Sequence, residues 1–281
     1  MLSEIALGRK TQKAAIEAYK EADHRFKFNG ILQTIVPWFL ICFYCTFGGY
    51  ISKYLFQSIT ALFSKSAVLN TGDPGALFGG MVGNVGNSVA WMAGFLILTM
   101  IIVFGGVSGG IEKFCKIAMP ALFVLLVIVV IRSCTLPGAT PGLKFLFYPD
   151  LSMWKKSFFN VVSLAGGQMF FSLSLASGCI IAYGSYLGKK ENLESNAAII
   201  TLGDSLVAIL AGMAIMPAVF AFGLEPGGGP GLLFVSMTTV FQSMGAAGKI
   251  FQLAFWLLVF FAALSSSIGM MEAGISAILD S

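Results

Sequence analysis

The stretch GGQMFFSLSLASG, residues 166–178, lies inside an apolar run that extends from Phe158 to Tyr186. The run is long enough to cross a bilayer as a helix, which takes about 20 residues. Its middle nevertheless contains three glycines and three serines, namely Gly166, Gly167, Gly178, Ser172, Ser174 and Ser177. Since lipid offers no water to an interrupted helix, such a break is tolerated only where the backbone packs within protein or lines a cavity. The stretch therefore predicts a broken membrane helix.

The composition predicts an all-α, polytopic membrane protein. The chain has 281 residues, of which 57% are hydrophobic and 11% charged, and its mean hydropathy is +0.87. A soluble domain carries about a quarter charged residues. The net charge of +4 does not indicate a nucleic-acid partner, because the basic residues lie mostly in short segments between apolar runs, as in membrane proteins. The expected surroundings are the lipid bilayer.

The apolar runs predict a single transmembrane domain over residues 1–281 with six spans, each near the length that a bilayer requires. The polar segment 1–29 is basic, which predicts a cytoplasmic N-terminal segment and a multi-pass protein of the plasma membrane. The predicted spans are 31–57, 85–106, 115–134, 159–187 (broken near 175–178), 196–223 and 250–279.

The break in the fourth span has two interpretations. Glycines lower helix propensity, so the helix can unwind here. An unwound stretch exposes carbonyl oxygens, which together with the serine hydroxyls are suitable ligands for a hard cation such as sodium. Its free N–H groups can bind a carboxylate. Alternatively, the small residues allow close helix packing.

Asp204 and Glu272 lie in apolar spans, where ionisable residues are functional candidates, although either could lie at a wet interface. Tyr44 lies in mid-span, and a buried phenol needs a partner.

Four segments carry a resemblance to the neurotransmitter:sodium symporter family. GGQMFFSLSLASGCIIAYGSYLGKKENL (166–193) resembles the broken sixth helix of the family, and FFAALSSSIGMMEAGISAILD (260–280) resembles the eighth. VSGGIEKFCKIAMPALF (107–123) is similar to the junction of the fourth and fifth helices, and LSEIALGRK (2–10) to the end of the second. The resemblance implies an inverted-repeat sodium symporter fold, of which this chain holds part, and symport of a neutral amino acid by alternating access. It implies a transporter and not an enzyme.

The resemblance also implies a substrate site for a small amino acid. Tyr44 matches a tyrosine that contacts the substrate carboxylate, and Phe171 matches an aromatic lid. Ser177 stands where relatives have a large apolar residue, which implies a roomier or a more polar pocket, so leucine is not assumed as the substrate. The implied substrate-binding residues are Leu40, Tyr44, Phe171, Ser174, Ser177, Ser266 and Met270.

Two sodium sites and no organic cofactor are implied in the same way. Ser172 matches a hydroxyl ligand of the first site, and Asp204 falls where the family usually has an asparagine ligand. Our hypothesis is that Asp204 supplies a counter-charge and makes chloride unnecessary. The second site is matched by the Ala262 carbonyl, Ser265 and Ser266. Glu272 is assigned no role.

The family has about twelve helices in two inverted five-helix repeats plus two more, whereas the match here runs from the end of the second helix to the eighth. We therefore expect Met1 to be internal to a longer protein and the isolated chain not to transport. A second chain that supplies the missing helices, or a homodimer, is a possible partner. Other interpretations are a non-transporting six-helix binding or structural protein and, less favoured, an ion channel.

Overall fold

The computed structural model describes residues 1–64, 68–148, 151–224, 226 and 229–280, and this part of the chain is helical without strands. A short 3-10 turn, His24–Phe26, and two π-helical turns, Val107–Ile111 and Leu232–Ser236, interrupt the α-helices. The α-helices are α1 Leu2–Thr11, α2 Ala15–Ala22, α3 Lys27–Phe63, α4 Val68–Thr71, α5 Pro74–Gly83, α6 Val85–Phe104, α7 Glu112–Cys134, α8 Thr140–Phe147, α9 Ser152–Lys156, α10 Phe158–Ser172, α11 Cys179–Ser185, α12 Leu193–Ala221, α13 Met237–Ser243 and α14 Gly245–Leu279.

Five helical segments of the described chain are long and apolar enough to cross a membrane: His24–Phe63, Val85–Phe104, Gly109–Cys134, Leu193–Ala221 and Gly245–Leu279. The predicted all-α, polytopic membrane fold is confirmed. The predicted fourth span is divided between α10 and α11. The division of the whole chain into six spans stays a prediction.

Local sequence sets several helix boundaries. Asp73 caps α5 by accepting a hydrogen bond from the Ala76 N–H at 2.6 Å, and Pro74 occupies the first helical position. Asn84 caps α6 in the same way through the Asn87 N–H at 3.1 Å. Side-chain oxygens of this kind satisfy N–H groups that have no partner within the helix, and proline at the first position loses no helical bond.

The chain forms two compact units. The first comprises Met1–Phe43, Asp150–Val207 and Ser266–Ser281, and the second comprises Tyr44–Pro149 and Ala208–Ser265.

The first unit is organised by the packing of α1 and α2 on α11. Ala15 and Ala18 of α2 form a buried apolar cluster with Ile181 of α11. Helix α1 approaches α11 so closely that a Cβ added at Gly184 would lie 2.8 Å from the Ile5 carbonyl oxygen. Small residues at such contacts allow two backbones to approach each other. This packing places α1 beside the break that precedes α11.

The second unit has an aromatic cluster around Phe234, which is fully buried. The Phe234 ring stacks on Phe78 at 5.0 Å and on Trp256 at 5.2 Å between ring centroids. Tyr54 lies 4.7 Å from Trp256. Aromatic pairs at these distances stabilise a fold beyond the area that they bury.

The break differs from the sequence expectation in one respect. Gly166 and Gly167 do not interrupt α10, which continues to Ser172, and a Cβ added at either glycine would meet nothing within 4 Å. A glycine costs a helix only about 1 kcal/mol relative to alanine, so two of them are tolerated inside an otherwise regular helix. The interruption covers residues 173–178, between α10 and α11.

Candidate functional site

The break between α10 and α11 has a strained backbone. Ser174 and Ala176 adopt left-handed conformations with φ of 51° and 56°, and Gly178 has φ of 72°. Only glycine adopts this region without a steric cost. Strain of this kind persists when surrounding contacts hold it, and it is concentrated at functional sites.

Side-chain hydrogen bonds help to hold the break, in addition to the backbone bonds that Leu173, Ser174 and Leu175 donate to α10. The Ala176 N–H donates a hydrogen bond to Glu4 Oε1 of α1 at 2.9 Å. The Ser177 hydroxyl donates to the Ser174 carbonyl at 2.6 Å. Glu4 thus fixes the backbone at one of the two strained residues that are not glycine. Its role was missed by sequence reasoning, because nothing in LSEIALGRK shows that its carboxylate meets a backbone 172 positions away.

Ser172 and Asp204 are brought together within the first unit. The Ser172 hydroxyl, at the last residue of α10, lies 2.8 Å from each carboxylate oxygen of Asp204 on α12. Hydroxyl and carboxylate oxygens are the hard donors that an alkali cation prefers. The hydroxyl proton points at the carboxylate, which leaves oxygen lone pairs on both groups for a cation. Their assignment to a sodium site remains a prediction.

The residues predicted for the second sodium site lie in the middle of α14. The Ser265 hydroxyl donates to the Ala262 carbonyl at 3.0 Å, so these two oxygens are neighbours. Ser266 follows on the same helix with an exposed side chain. Serine hydroxyls in apolar helices commonly bond to a carbonyl in the preceding turn. This bond has a local explanation, and the sodium assignment of all three residues stays a prediction.

The residues predicted to contact substrate lie on several elements. In the first unit, Met270 packs against Cys179 and Ala182 of α11 together with Ala273. Phe171, in the last turn of α10, is 58% exposed. Ser174 and Ser177 are in the break, and Ser266 lies one turn before Met270 on α14. Leu40 and Tyr44 are half-buried one turn apart on α3.

Ser177 is 5% exposed, and its hydroxyl proton is used by the Ser174 carbonyl. The proton of this hydroxyl is therefore not available to a ligand, although its oxygen can still accept a hydrogen bond. The size and polarity of a pocket at this position stay predictions.

A further carboxylate of the first unit is buried and has a partner. Glu272 of α14 is 8% exposed, and its Oε1 accepts a hydrogen bond from the Tyr186 hydroxyl at 2.6 Å. Tyr186 is the C-terminal cap of α11. The sequence singled out Glu272 as an ionisable residue in an apolar span, but no role was assigned to it.

Comparisons with known proteins agree with this architecture. The profile of the sodium:neurotransmitter symporter family matches residues 76–281. YhdH of Bacillus subtilis, described as an uncharacterized sodium-dependent transporter, is 36% identical over 274 residues, which are 97% of this chain and 59% of that protein. The crystal structure of MhsT in complex with L-phenylalanine superposes with a TM-score of 0.88 at 38% identity, covering 99% of this chain and 62% of that one. The sodium-dependent neutral amino acid transporter B(0)AT3 of Mus musculus is 43% identical over 109 residues, which are 38% of this chain and 17% of that protein.

The fold and these matches define a multi-pass helical membrane protein. The chain belongs to the sodium:neurotransmitter symporter family. The chain spans about three fifths of the length of YhdH and of MhsT.

Proposed function

We propose that the protein containing this chain carries out sodium-coupled symport of a neutral amino acid across the plasma membrane. The observation that carries the proposal is the Ser172–Asp204 contact at the edge of the strained break. It supplies hard oxygen donors and one negative charge at the place where α10 ends, which is the chemistry that a sodium ion requires. The N-terminal segment is cytoplasmic in this proposal, because segment 1–29 is basic.

The mechanism proposed is alternating access. Substrate and sodium bind near the midplane beside the interrupted helix, where backbone groups without helical partners are available. Glu4 holds the interruption in its strained form, and the Ser172–Asp204 oxygens receive the first sodium ion. The Ala262 carbonyl, Ser265 and Ser266 receive the second. No covalent bond is made or broken in this cycle.

The substrate proposed is a large apolar or aromatic L-amino acid. Serine at position 177 leaves room for a side chain of that size, and its hydroxyl is internally satisfied. Phe171 and Met270 supply apolar and aromatic surface for such a side chain. MhsT, which binds L-phenylalanine in its crystal structure, supports this choice.

The test is uptake of radiolabelled L-phenylalanine into proteoliposomes that contain the complete gene product. An inward sodium gradient is expected to drive accumulation, whereas replacement of sodium by choline abolishes it. Excess unlabelled L-leucine or L-tryptophan is expected to compete, and excess glycine is not. Equal uptake in sodium and in choline would contradict the proposal. The matched variant Ser172→Ala removes one proposed sodium ligand and is expected to raise the sodium concentration required for half-maximal uptake.

A further inference from the structure

The start of α3 carries an exposed pattern that the proposed function does not use. In HRFKFN, residues 24–29, the cations Arg25 and Lys27 alternate with Phe26 and Phe28. Phe26 is 52% exposed and Phe28 is 64% exposed. Two neighbouring phenylalanines that remain this exposed need an apolar surface other than the interior of the unit.

Phe28 is the first member of an exposed apolar stripe on α3. Phe28, Leu32, Ile35, Phe39 and Phe43 follow one another at spacings of three or four residues, and each is exposed. Such spacings place them on one face of the helix. At 1.5 Å per residue the stripe is about 22 Å long, which is most of the roughly 30 Å thickness of a hydrocarbon core. This face of α3 is therefore suited to lipid chains.

Arg25 lies just before the N-terminal end of the apolar stripe. It lies in the 3-10 turn His24–Phe26 that leads into α3, three residues before Phe28, and residues three apart are neighbours on a helix surface. Asp23 fixes this turn because its Oδ1 accepts a hydrogen bond from the Arg25 backbone N–H at 2.9 Å. The backbone of Arg25 is thus fixed three residues before the start of the apolar stripe, so a lipid whose chains lie along the stripe would have its headgroup beside this residue.

The neighbouring charges leave these two cations available. Lys13 pairs with Glu21 at 3.7 Å, and Lys20 pairs with Glu17 at 2.9 Å. Within the part of the chain that the structure describes, neither Arg25 nor Lys27 has a carboxylate within ion-pair distance. Glu17 and Glu21 are therefore already paired with other lysines, and the Asp23 carboxylate accepts from the Arg25 backbone N–H. Lys27 has a weak electrostatic interaction with Glu17 but lies outside ion-pair distance of it.

We infer that Arg25 and Lys27, flanked by Phe26 and Phe28, form a binding site for the headgroup of an anionic phospholipid, whose acyl chains lie along the Phe28–Phe43 stripe. The guanidinium and the ammonium bind the headgroup phosphate, and the two rings lie at the membrane interface, as aromatic residues do in membrane proteins. Basic side chains near an anionic membrane surface strengthen such binding, and added salt weakens it. The inference depends on the membrane class of the protein and not on transport.

The experiment is a thermal-unfolding titration of the complete gene product in detergent, with added phosphatidylglycerol or phosphatidylcholine. We expect phosphatidylglycerol to raise the unfolding temperature more than phosphatidylcholine does, and added salt to reduce that difference. The variant R25Q/K27Q is expected to lose at least half of the difference between the two lipids. The matched control K189Q/K190Q removes two exposed cations from the loop that follows α11 and is expected to retain it.

Native mass spectrometry of the same samples provides the second readout. Wild-type protein is expected to retain more phosphatidylglycerol than R25Q/K27Q, and the charge-conserving variant R25K/K27R is expected to retain most of it. The inference is overturned if R25Q/K27Q binds phosphatidylglycerol like wild type, or if K189Q/K190Q loses binding equally. If R25Q/K27Q does not fold, the wild-type protein and R25K/K27R provide the test. The inference is then overturned if the wild-type preference for phosphatidylglycerol is insensitive to salt, or if R25K/K27R loses that preference.

Discussion

The Ser172 hydroxyl donates a hydrogen bond to Asp204, and its oxygen lies 2.8 Å from each of the two carboxylate oxygens. The contact joins the last residue of α10 to α12 and places one negative charge beside the break. The Asp204 carboxylate would balance the charge of a cation bound at this point, without an added anion such as chloride.

Asp204→Asn tests this charge. Two unit charges 4 Å apart attract each other by about 4 kcal/mol at the effective dielectric near a protein surface. Loss of the charge is therefore expected to lower sodium-driven uptake in chloride-free medium by at least about tenfold, and the residual uptake is expected either to require chloride or to be absent. The measurement is initial uptake with chloride replaced by gluconate.

The control for Asp204→Asn is Glu194→Gln, which removes the same charge from the exposed first turn of α12. It is expected to leave the rate unchanged. Unaltered chloride-free uptake by the Asp204→Asn variant would show that the carboxylate is not the counter-charge.

Glu4→Ala tests the contact that holds the break. The substitution leaves the Ala176 N–H without its acceptor, and a hydrogen bond to a charged group contributes about 1.5–3 kcal/mol. We expect apparent substrate affinity to fall by about tenfold or more, with a smaller loss for Glu4→Gln because an amide oxygen still accepts a hydrogen bond. The measurement is equilibrium binding of labelled substrate.

Glu17→Gln serves as the comparison for Glu4→Ala. Glu17 lies on neighbouring α2, and its pKa is lowered chiefly by a hydrogen bond from Lys20. Exposed pairs of this kind contribute little to stability, so binding is expected to remain at the wild-type level. An equal loss for the Glu17 and Glu4 variants would mean that the effect is not specific to the break.

These contacts show which parts of the site the sequence could predict. Hydropathy predicted the all-helical membrane fold because membrane helices satisfy their own backbone hydrogen bonds and need only length and apolar composition. The Ser172–Asp204 contact joins two residues that the sequence had already singled out. Glu4 was not foreseen, because its partner is a backbone N–H freed only when α10 ends at Ser172. Gly166 and Gly167 were given too much weight, since one glycine is a small perturbation in a long helix.

Gly184→Ala tests the close approach of α1 and α11. The added Cβ would lie 2.8 Å from the Ile5 carbonyl oxygen and 3.1 Å from the Ile5 Cα, both of which belong to backbone. Overpacking at such a contact costs about 1–3 kcal/mol, so the unfolding temperature is expected to fall. Gly166→Ala, where a Cβ meets nothing within 4 Å, is expected to be neutral or to stabilise α10 by up to about 1 kcal/mol. The same destabilisation in both variants would argue against the packing described here.

Tyr186→Phe removes the hydroxyl that donates to Glu272 at 2.6 Å. The buried carboxylate then lacks this donor, and the expected loss of stability is about 1.5–3 kcal/mol. A double-mutant cycle with Glu272→Gln measures the coupling directly, since the second substitution changes the acceptor of the same bond. Strictly additive effects of the two substitutions would exclude a hydrogen bond of consequence between them.

Tyr54→Phe is not expected to lower the stability of the protein, in contrast to Tyr186→Phe. The Tyr54 hydroxyl is buried in the aromatic cluster of the second unit and has no hydrogen-bond partner among the described residues. An unsatisfied buried donor costs about 1–3 kcal/mol. Tyr54→Phe removes this donor but keeps the ring and its contacts with Trp256 and Phe234. The free energy of unfolding is therefore expected to stay unchanged or to rise by about 1 kcal/mol. Thermal unfolding of both Tyr→Phe variants in one detergent compares a satisfied with an unsatisfied phenol. A loss at Tyr54 as large as that at Tyr186 would show that the Tyr54 hydroxyl has an acceptor in the membrane-embedded protein.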